Sequence, residues 1–342
     1  MNVARAAAAF AFIMTAATAA AQNVKITPIG SHPGELCASD RAIVFEDPTG
    51  VRFLYDPAHN MTSGDDPRLG TIHMVLLSHM HGDHVGDQKL KAVGAGTCAN
   101  PERVPDLNST TAEVAAAKNA ALVMTRAISG FVATKIQAMR PGSKPIGFCP
   151  QKDGATIVPV ETICASQTDM GGVFVAKMAN ASQGVEIAIV YASHVNNAPP
   201  ALLSKAAQEA AKADGAVFEY GPATGFVVKF TNGLVAYLSG DTGIHSEMKT
   251  VVHDFHHANL AVLNLGNNPG IFQSGAFAMN ELVRPASVIL SHPNEPVTEG
   301  GKIRPTSRTA GTTSSCRSAT PSAAGTRSSA STSATTRAPS SA

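Results

Sequence analysis

Histidine and aspartate crowd one short stretch, His79-Met80-His81-Gly82-Asp83-His84, and recur at His194, Asp241 and His292. Neutral imidazole and carboxylate are metal ligands, and the mixture suits zinc, with manganese or iron as alternatives. His79 and His81 stand two apart, so in extended backbone they point the same way and can share one ion. Asp83 and His84 follow the small Gly82, where the loop can turn and carry them toward a second ion. His194 can complete the first set and His292 the second. Asp241, with two carboxylate oxygens, can bridge both. Two divalent ions roughly 3.5–4 Å apart lower the pKa of a shared water and polarise a substrate oxygen. The expected chemistry is therefore attack by a metal-bound hydroxide on an ester, lactone or phosphoester. Asp83 and Asp241 would orient the nucleophile and handle its proton.

Rigid supports must bring these side chains together. Four short apolar runs do so in principle: Ile72–Leu77 before His79, Ile187–Ala192 before His194, Leu234–Leu238 before Asp241, and Ser287–Leu290 before His292. Each is rich in Val, Ile and Leu and bounded by polar or turn residues, the pattern of a buried strand. A lone Ser-His after such a run is usually structural, but three of them beside a dense His motif argue for convergence on one rim. Asp56 also ends an apolar run and can hydrogen-bond a ligand imidazole from behind. His245, just after Gly243, is a candidate substrate contact or acid. His59 and His73 read as structural, and His253, His256 and His257 as a solvated helix face.

The remaining pattern predicts strands at Val24–Pro28, Arg41–Glu46, Val51–Tyr55, Val173–Ala179, Val185–Ala192, Phe226–Phe230 and Leu260–Leu265. Asp47-Pro48-Thr49-Gly50 and Asn232-Gly233 are turn signatures. A short helix is expected from Asp87. Residues 94–165 read as a helical insertion, with a capping box at Thr110-x-x-Glu113 opening an Ala-rich helix to about Ser129, and a second helix at Phe131–Met139. A helix is also expected over Ala201–Ala213, closed by Gly215. Two strand-rich halves with helices suggest two sheets packed face to face with helices outside.

On these residues the chain resembles the metallo-β-lactamase superfamily. His79, His81, Asp83 and His84 match its signature loop, and His194, Asp241 and His292 its remaining ligand positions, over about Val24 to Ile303. The resemblance implies an α/β fold, the αββα sandwich of two mixed sheets, and a dinuclear site. Gly225-Phe226-Val227 and Ser239-Gly240-Asp241-Thr242-Gly243 look most like the branch containing L-ascorbate-6-phosphate lactonase, which is itself similar to phospholipase D-type enzymes acting on N-acyl phosphatidylethanolamines. β-Lactamases of the superfamily generally lack the bridging Asp, so Asp241 counts against antibiotic hydrolysis. An iron-dependent oxidoreductase on the same fold, or an inactive truncated binding protein, is the alternative reading.

Both ends of the chain differ from this body. Residues 1–21 read as a signal peptide: Arg5, the apolar run Ala6–Ala17, and Ala19-Ala20-Ala21 as a cleavage site that leaves Gln22 first. A periplasmic or secreted location follows, with no stable membrane anchor. Residues 304–342 use only Arg, Pro, Thr, Ser, Ala, Gly and Cys. Such a segment cannot build a core and is expected to be disordered, either as a linker-like tail or, the favoured reading, after a frameshift near codon 304. Of the 26 Lys and Arg, five lie in this tail and one is Arg5, which leaves 20 against 25 acids in the body. That sign argues against nucleic acid and for a small-molecule substrate. No motif speaks to oligomeric state. Cys37, Cys98, Cys149 and Cys164 allow three full pairings, of which Cys98–Cys149 would staple the insertion.

Overall fold

Apolar residues at every second position build two sheets with opposite faces in different cores. The computed structural model describes residues 23–264, 271–307 and 334–336. The expected signal peptide, Cys316 and most of the tail lie outside them. The first half of the chain runs β1 (Val24–Pro28), β2 (Ile43–Glu46), β3 (Arg52–Tyr55), β4 (Met74–Leu76), α1 (Gly82–Val85), a hairpin of β5 (Gln88–Leu90) and β6 (Arg103–Pro105), α2 (Thr110–Lys118), β7 (Ala121–Val123) and α3 (Arg126–Met139). The second half runs β8 (Thr156–Val158), β9 (Val173–Met178), β10 (Val185–Tyr191), α4 (Lys205–Asp214), β11 (Thr224–Lys229), β12 (Val235–Leu238), β13 (Leu260–Asn264), α5 (Ile271–Phe277) and β14 (Ser287–Ser291), then the small hairpin β15 (Thr298–Glu299) and β16 (Lys302–Ile303). A last strand, β17 (Ala334–Thr336), lies antiparallel to β1.

The sheets are ordered β17-β1-β2-β3-β4-β7 and β14-β13-β12-β11-β10-β9-β8. In the first, Phe45, Phe53, Tyr55, Met74 and Leu76 face the second sheet, while Val44, Leu54 and Val75 face outward. In the second, Ile187, Ile189, Phe226, Leu238 and Val262 face the first, while Ala188, Val227, Tyr237 and Ala261 face outward. This period of two is what a half-buried strand requires. Phe45, Phe53 and Phe230 stack at the centre, with the first two rings 5.0 Å apart; each contributes roughly 1.5–3 kcal/mol by burial. Helices α2 and α3 pack on the outer face of the first sheet. The π-helical turns Met248–His253 and Ala278–Val283 pack on that of the second. The expected αββα sandwich forms.

Several local expectations are corrected. The short helix begins at Gly82, not Asp87, and Gln88–Leu90 is a strand. The Ala-rich helix is capped by Ser109, whose Oγ accepts from the Ala112 N–H, and it ends at Asn119 in the left-handed region. Ala121–Val123 is a buried parallel strand beside β4. Residues 94–165 supply β7 to one sheet and β8 to the other, so they are woven into both layers rather than inserted between them. The helix expected over Ala201–Ala213 is a 3-10 turn, Pro200–Leu202, followed by α4, which Gly215 closes as expected. Disulfides join Cys37 to Cys98 and Cys149 to Cys164, so the Cys98–Cys149 staple is not the pairing adopted. In the tail, the Arg304 N–H donates to the Val297 carbonyl and Ala334–Thr336 is a strand; residues 308–333 and 337–342, on which the expectation of a disordered tail falls, lie outside the described residues. Among the described residues no helix is long and apolar enough to cross a membrane.

Candidate metal centre

Six chain segments reach one rim of the sandwich where strands end. Asp56 follows β3, the His-rich loop follows β4, His194 follows β10, Asp241 follows β12, Asn264 ends β13, and His292 follows β14. The rim is sewn together across the two sheets: Thr224 donates from its N–H and Oγ1 to the Ser78 carbonyl, at 3.0 and 2.9 Å. Gly240 has φ +58, and a Cβ there would meet the Thr224 carbonyl oxygen at 2.5 Å, so glycine lets β12 hand over to Asp241. Its N–H donates to the Tyr55 hydroxyl at 3.0 Å. Gly82 serves by size rather than by a positive φ, because a Cβ would meet the Asp87 carboxylate at 2.6 Å.

The seven expected ligand residues fall into three overlapping groups: His79, His81 and His194; His79, His84 and Asp241; Asp83, His84 and His292. Within each, one donor atom per residue lies within 4.8 Å of the others. His81 Nδ1 and His194 Nε2 are 3.3 Å apart. Asp241 reaches both ends, with Oδ1 3.3 Å from His84 Nε2, and Oδ2 3.3 Å from His292 Nε2 and 3.8 Å from His194 Nε2. Asn264 Nδ2 donates to Asp241 Oδ1 at 3.1 Å.

Hydrogen bonds behind the rings decide which nitrogens face inward. Asp56 is buried and collects three donors: the Ser78 N–H, Ser78 Oγ–H and His84 Nδ1–H, each at 2.8 Å. Because Ser78 Oγ gives its proton to Asp56, it accepts from His79 Nδ1–H at 3.0 Å. His79 and His84 thereby turn Nε2 into the site, which is how an imidazole is oriented for a cation. His81 is held the other way round, with Nε2–H donating to Asn197 Oδ1 at 3.1 Å and Nδ1 facing His194. Among the described residues His79 Nε2, His84 Nε2 and His292 Nε2 are buried without an aligned hydrogen bond, although carboxylate oxygens lie close to the latter two. Buried polar atoms that converge without pairing are costly unless a cation joins them. The donor set fits divalent cations.

Electrostatics agree. Burial pulls His84 down, but Asp241 and Asp56 outweigh it and push its pKa up to about 10; the proton held there occupies the place a cation would take. Burial would raise Asp241, yet His84 and His292 hold its carboxyl well below the usual range. Asp83 is likewise held low against burial, by His292, His84 and Arg41. His79, fully buried and beside His84, is pushed well down and stays neutral.

His292 is supported differently. It lies at φ +52, and its Nδ1 faces two donor groups, Asn294 Nδ2 at 3.1 Å and Arg41 Nη2 at 3.3 Å. Arg41, which the sequence reading had not singled out, also pairs with Asp83 Oδ2 at 2.7 Å. Asn196 was missed too: its Oδ1 accepts from the Met80 N–H at 2.7 Å and fixes the loop between the first two histidines. The Asn196-Asn197 pair two residues after His194 was the available signal; Arg41 offered none. His245 lies against the Tyr191 ring, outside the three ligand groups, with both ring nitrogens buried and unpartnered among the described residues. His59 pairs with Asp87, and His73 Nδ1 accepts from the Arg52 N–H, both structural as expected.

The chain is similar in fold to a metallo hydrolase of the archaeon Ignicoccus hospitalis, with a TM-score of 0.51 at 18% identity, covering 87% of this chain and 92% of that one. A possible metal-dependent hydrolase of Veillonella parvula aligns at a TM-score of 0.43 and 12% identity, over 87% and 95% of the two chains. In sequence, a protein of Methanosphaera stadtmanae named UPF0173 metal-dependent hydrolase is 41% identical over 51 residues, 15% of this chain and 22% of that protein's length. No family model matches. The αββα sandwich is consistent with the metallo-β-lactamase fold.

Proposed function

We propose that this chain is an exported metal-dependent hydrolase that holds two divalent cations, zinc in the first place with manganese or iron as alternatives, and cleaves an ester, lactone or phosphoester. The observation that carries this reading is the convergence of seven donor residues, two of whose imidazoles are fixed by Asp56 with Nε2 inward. His79, His81 and His194 would hold one cation and Asp83, His84 and His292 the other, with Asp241 between. Such cations supply Lewis acidity, polarising a substrate oxygen and acidifying water.

The chain's own groups do the rest. Asp241 and Asp83 stay ionised at neutral pH, so either can orient a water by one hydrogen and accept the proton it loses. Asn264 and the Tyr55–Gly240 contact fix the Asp241 carboxylate. The side chains of His194 and Asp83 are 32% and 36% exposed, whereas His79 and His84 are buried, so substrate enters past the former pair. The likeness of Gly225–Val227 and Ser239–Gly243 to the lactonase branch makes lactones the first substrates to try. Two disulfides are compatible with a periplasmic or secreted location, because they persist in oxidising compartments.

Elemental analysis after zinc or manganese loading should find about two ions per chain. The loaded protein should hydrolyse a member of a panel of lactones, phosphodiesters and β-lactams, and chelation should abolish this. A metal content near zero would sink the assignment. Oxygen uptake by iron-loaded protein without hydrolysis would replace it with the oxidoreductase.

A further inference from the structure

Two guanidinium groups stand beside the centre with much of their hydrogen-bonding capacity unused. Arg41, whose side chain is 4% exposed, spends Nη2 on Asp83 Oδ2 and on Asn294 Oδ1 at 2.7 and 2.9 Å. Its Nε and Nη1 are buried and have no partner among the described residues. Arg103, on β6, is in the same condition at Nε and Nη2. The two are electrostatic neighbours, and burial together with the Arg41 charge pushes Arg103 below its ordinary pKa despite Asp40 and Asp83 nearby.

Neither carboxylate takes up the idle N–H groups. Asp40 Oδ1 accepts from the Ser31 N–H and from Asn60 Nδ2, and Oδ2 from the Cys37 N–H. Asp83 Oδ2 is held by Arg41 and faces His292. Like charges buried together with idle N–H groups are unfavourable unless something else comes between them.

The pair is also built rather than incidental. The Cys37–Cys98 disulfide ties the segment carrying Arg41 to the β5–β6 hairpin carrying Arg103. The Ala38 N–H donates to the Cys98 carbonyl at 3.1 Å, and the Gly94 N–H to the Ser31 carbonyl at 2.8 Å. Asn60 Oδ1 accepts the Arg41 N–H at 3.2 Å. Rigid, desolvated guanidinium forks with free N–H groups are a receptor for small oxyanions.

We infer that Arg41 and Arg103 form an oxyanion subsite on the Asp83–His292 side of the metal centre, which receives a carboxylate or phosphate group carried by the substrate. The site rests on the hydrolase reading for its part in turnover, but its binding is tested apart from turnover. Calorimetric titration of the metal-loaded full chain with inorganic phosphate and with acetate, repeated after chelation, separates the anion's contacts with cations from those with arginine. At least one anion should bind saturably to the chelated protein. Arg103→Gln should weaken that binding tenfold or more, and Arg103→Lys, which keeps the charge but not the fork, by less. Phosphate alone or acetate alone would assign the group. Should no saturable binding occur, or should a folded Arg103→Gln protein with an unchanged thermal midpoint bind both anions as before, the inference is overturned. Binding lost in the variant while the loaded protein hydrolyses nothing would keep the subsite and remove the hydrolase reading.

Discussion

At the scale of single residues, Asp56 does more than its place outside the ligand set suggests. Its two oxygens accept from Ser78 N–H, Ser78 Oγ–H and His84 Nδ1–H. In Asp56→Asn one oxygen becomes an NH2 donor, so one of these partners must let go or reverse. The backbone at φ +42 suits asparagine, so the fold should stand. Reversal at Ser78 or His84 puts a proton on the inward Nε2 of His79 or His84. Metal affinity should fall by about 10- to 100-fold, the usual cost of losing such support; a competition titration against a chromophoric chelator measures it, and unchanged affinity refutes the relay. His292 presents the opposite case. Donors at its Nδ1 favour the tautomer with a proton on Nε2, the atom that faces Asp83 and Asp241. The cation bound by Asp83, His84 and His292 should therefore be the weaker of two, read as a second, shallower step in the same titration. One equally tight step for both ions would contradict it. The convergence of the seven His and Asp residues was legible because metal chemistry restricts the side-chain types and strand ends restrict their places. Arg41 was not, because a lone arginine before Ala42-Ile43-Val44 carries no pattern; only the fold puts it on Asp83.

At the scale of elements, what was legible followed the period of two and the turn residues. Phe53-Leu54-Tyr55 and Phe226-Val227-Val228 alternate between cores as their patterns imply. The stretch Ala115–Val123 was misread because alanine marks neither helix nor strand once it is buried, and a three-residue strand gives too short a window for any period. Asn119, which tolerates the left-handed conformation, was the stop signal. Another small element, the 3-10 turn Pro67–Leu69, yields a pH prediction. Its cap, Asp66, accepts from Thr62 N–H and Oγ1 and from Arg68, and Arg68 in turn donates to the carbonyls of Gly30 and Asn60, the residue that holds Asp40 and the Arg41 backbone. Burial would raise the Asp66 carboxyl, but the Arg68 and Thr62 hydrogen bonds outweigh it and bring the pKa down to about 2. A depressed carboxylate stabilises the fold at pH values above its unfolded pKa, and that stability is lost as pH falls from about 4 through about 2. Its size is about 2 kcal/mol. Asp66→Asn should cost that much in denaturant titrations at pH 7 and nearly nothing at pH 2; an equal cost at both would show that the contribution does not depend on its charge.

At the scale of the whole molecule, two covalent links hold what the layers alone do not. Which cysteines pair was illegible because spacing leaves the three pairings equal; the sandwich chooses by bringing the Cys37 segment to the β5–β6 hairpin and Cys164 to Cys149. The two links have different work. Cys149–Cys164 closes a separation of 15 residues and braces the strand-like pairing of Cys149 N–H with the Ala165 carbonyl, away from the ligand groups. Cys37–Cys98 closes 61 residues and crosses from the first sheet's leading loop to the hairpin beside the metal centre. Loop-closure entropy assigns about 3 kcal/mol to the shorter and about 4 kcal/mol to the longer. Together these are a large share of the ~5–15 kcal/mol by which domains are stable, so reduction should lower the thermal midpoint steeply. The paired variants Cys37→Ser/Cys98→Ser and Cys149→Ser/Cys164→Ser should both be less stable in denaturant titrations, the first by more. They should part company in metal and anion binding. Freeing the hairpin loosens Arg103 from Arg41 and the Asp40 network, whereas freeing Cys149 leaves that corner intact. The decisive comparison is binding measured on folded protein well below each midpoint: a loss in the first variant but not the second places the longer disulfide in the architecture of the site, and equal behaviour would reduce both links to general braces of the fold.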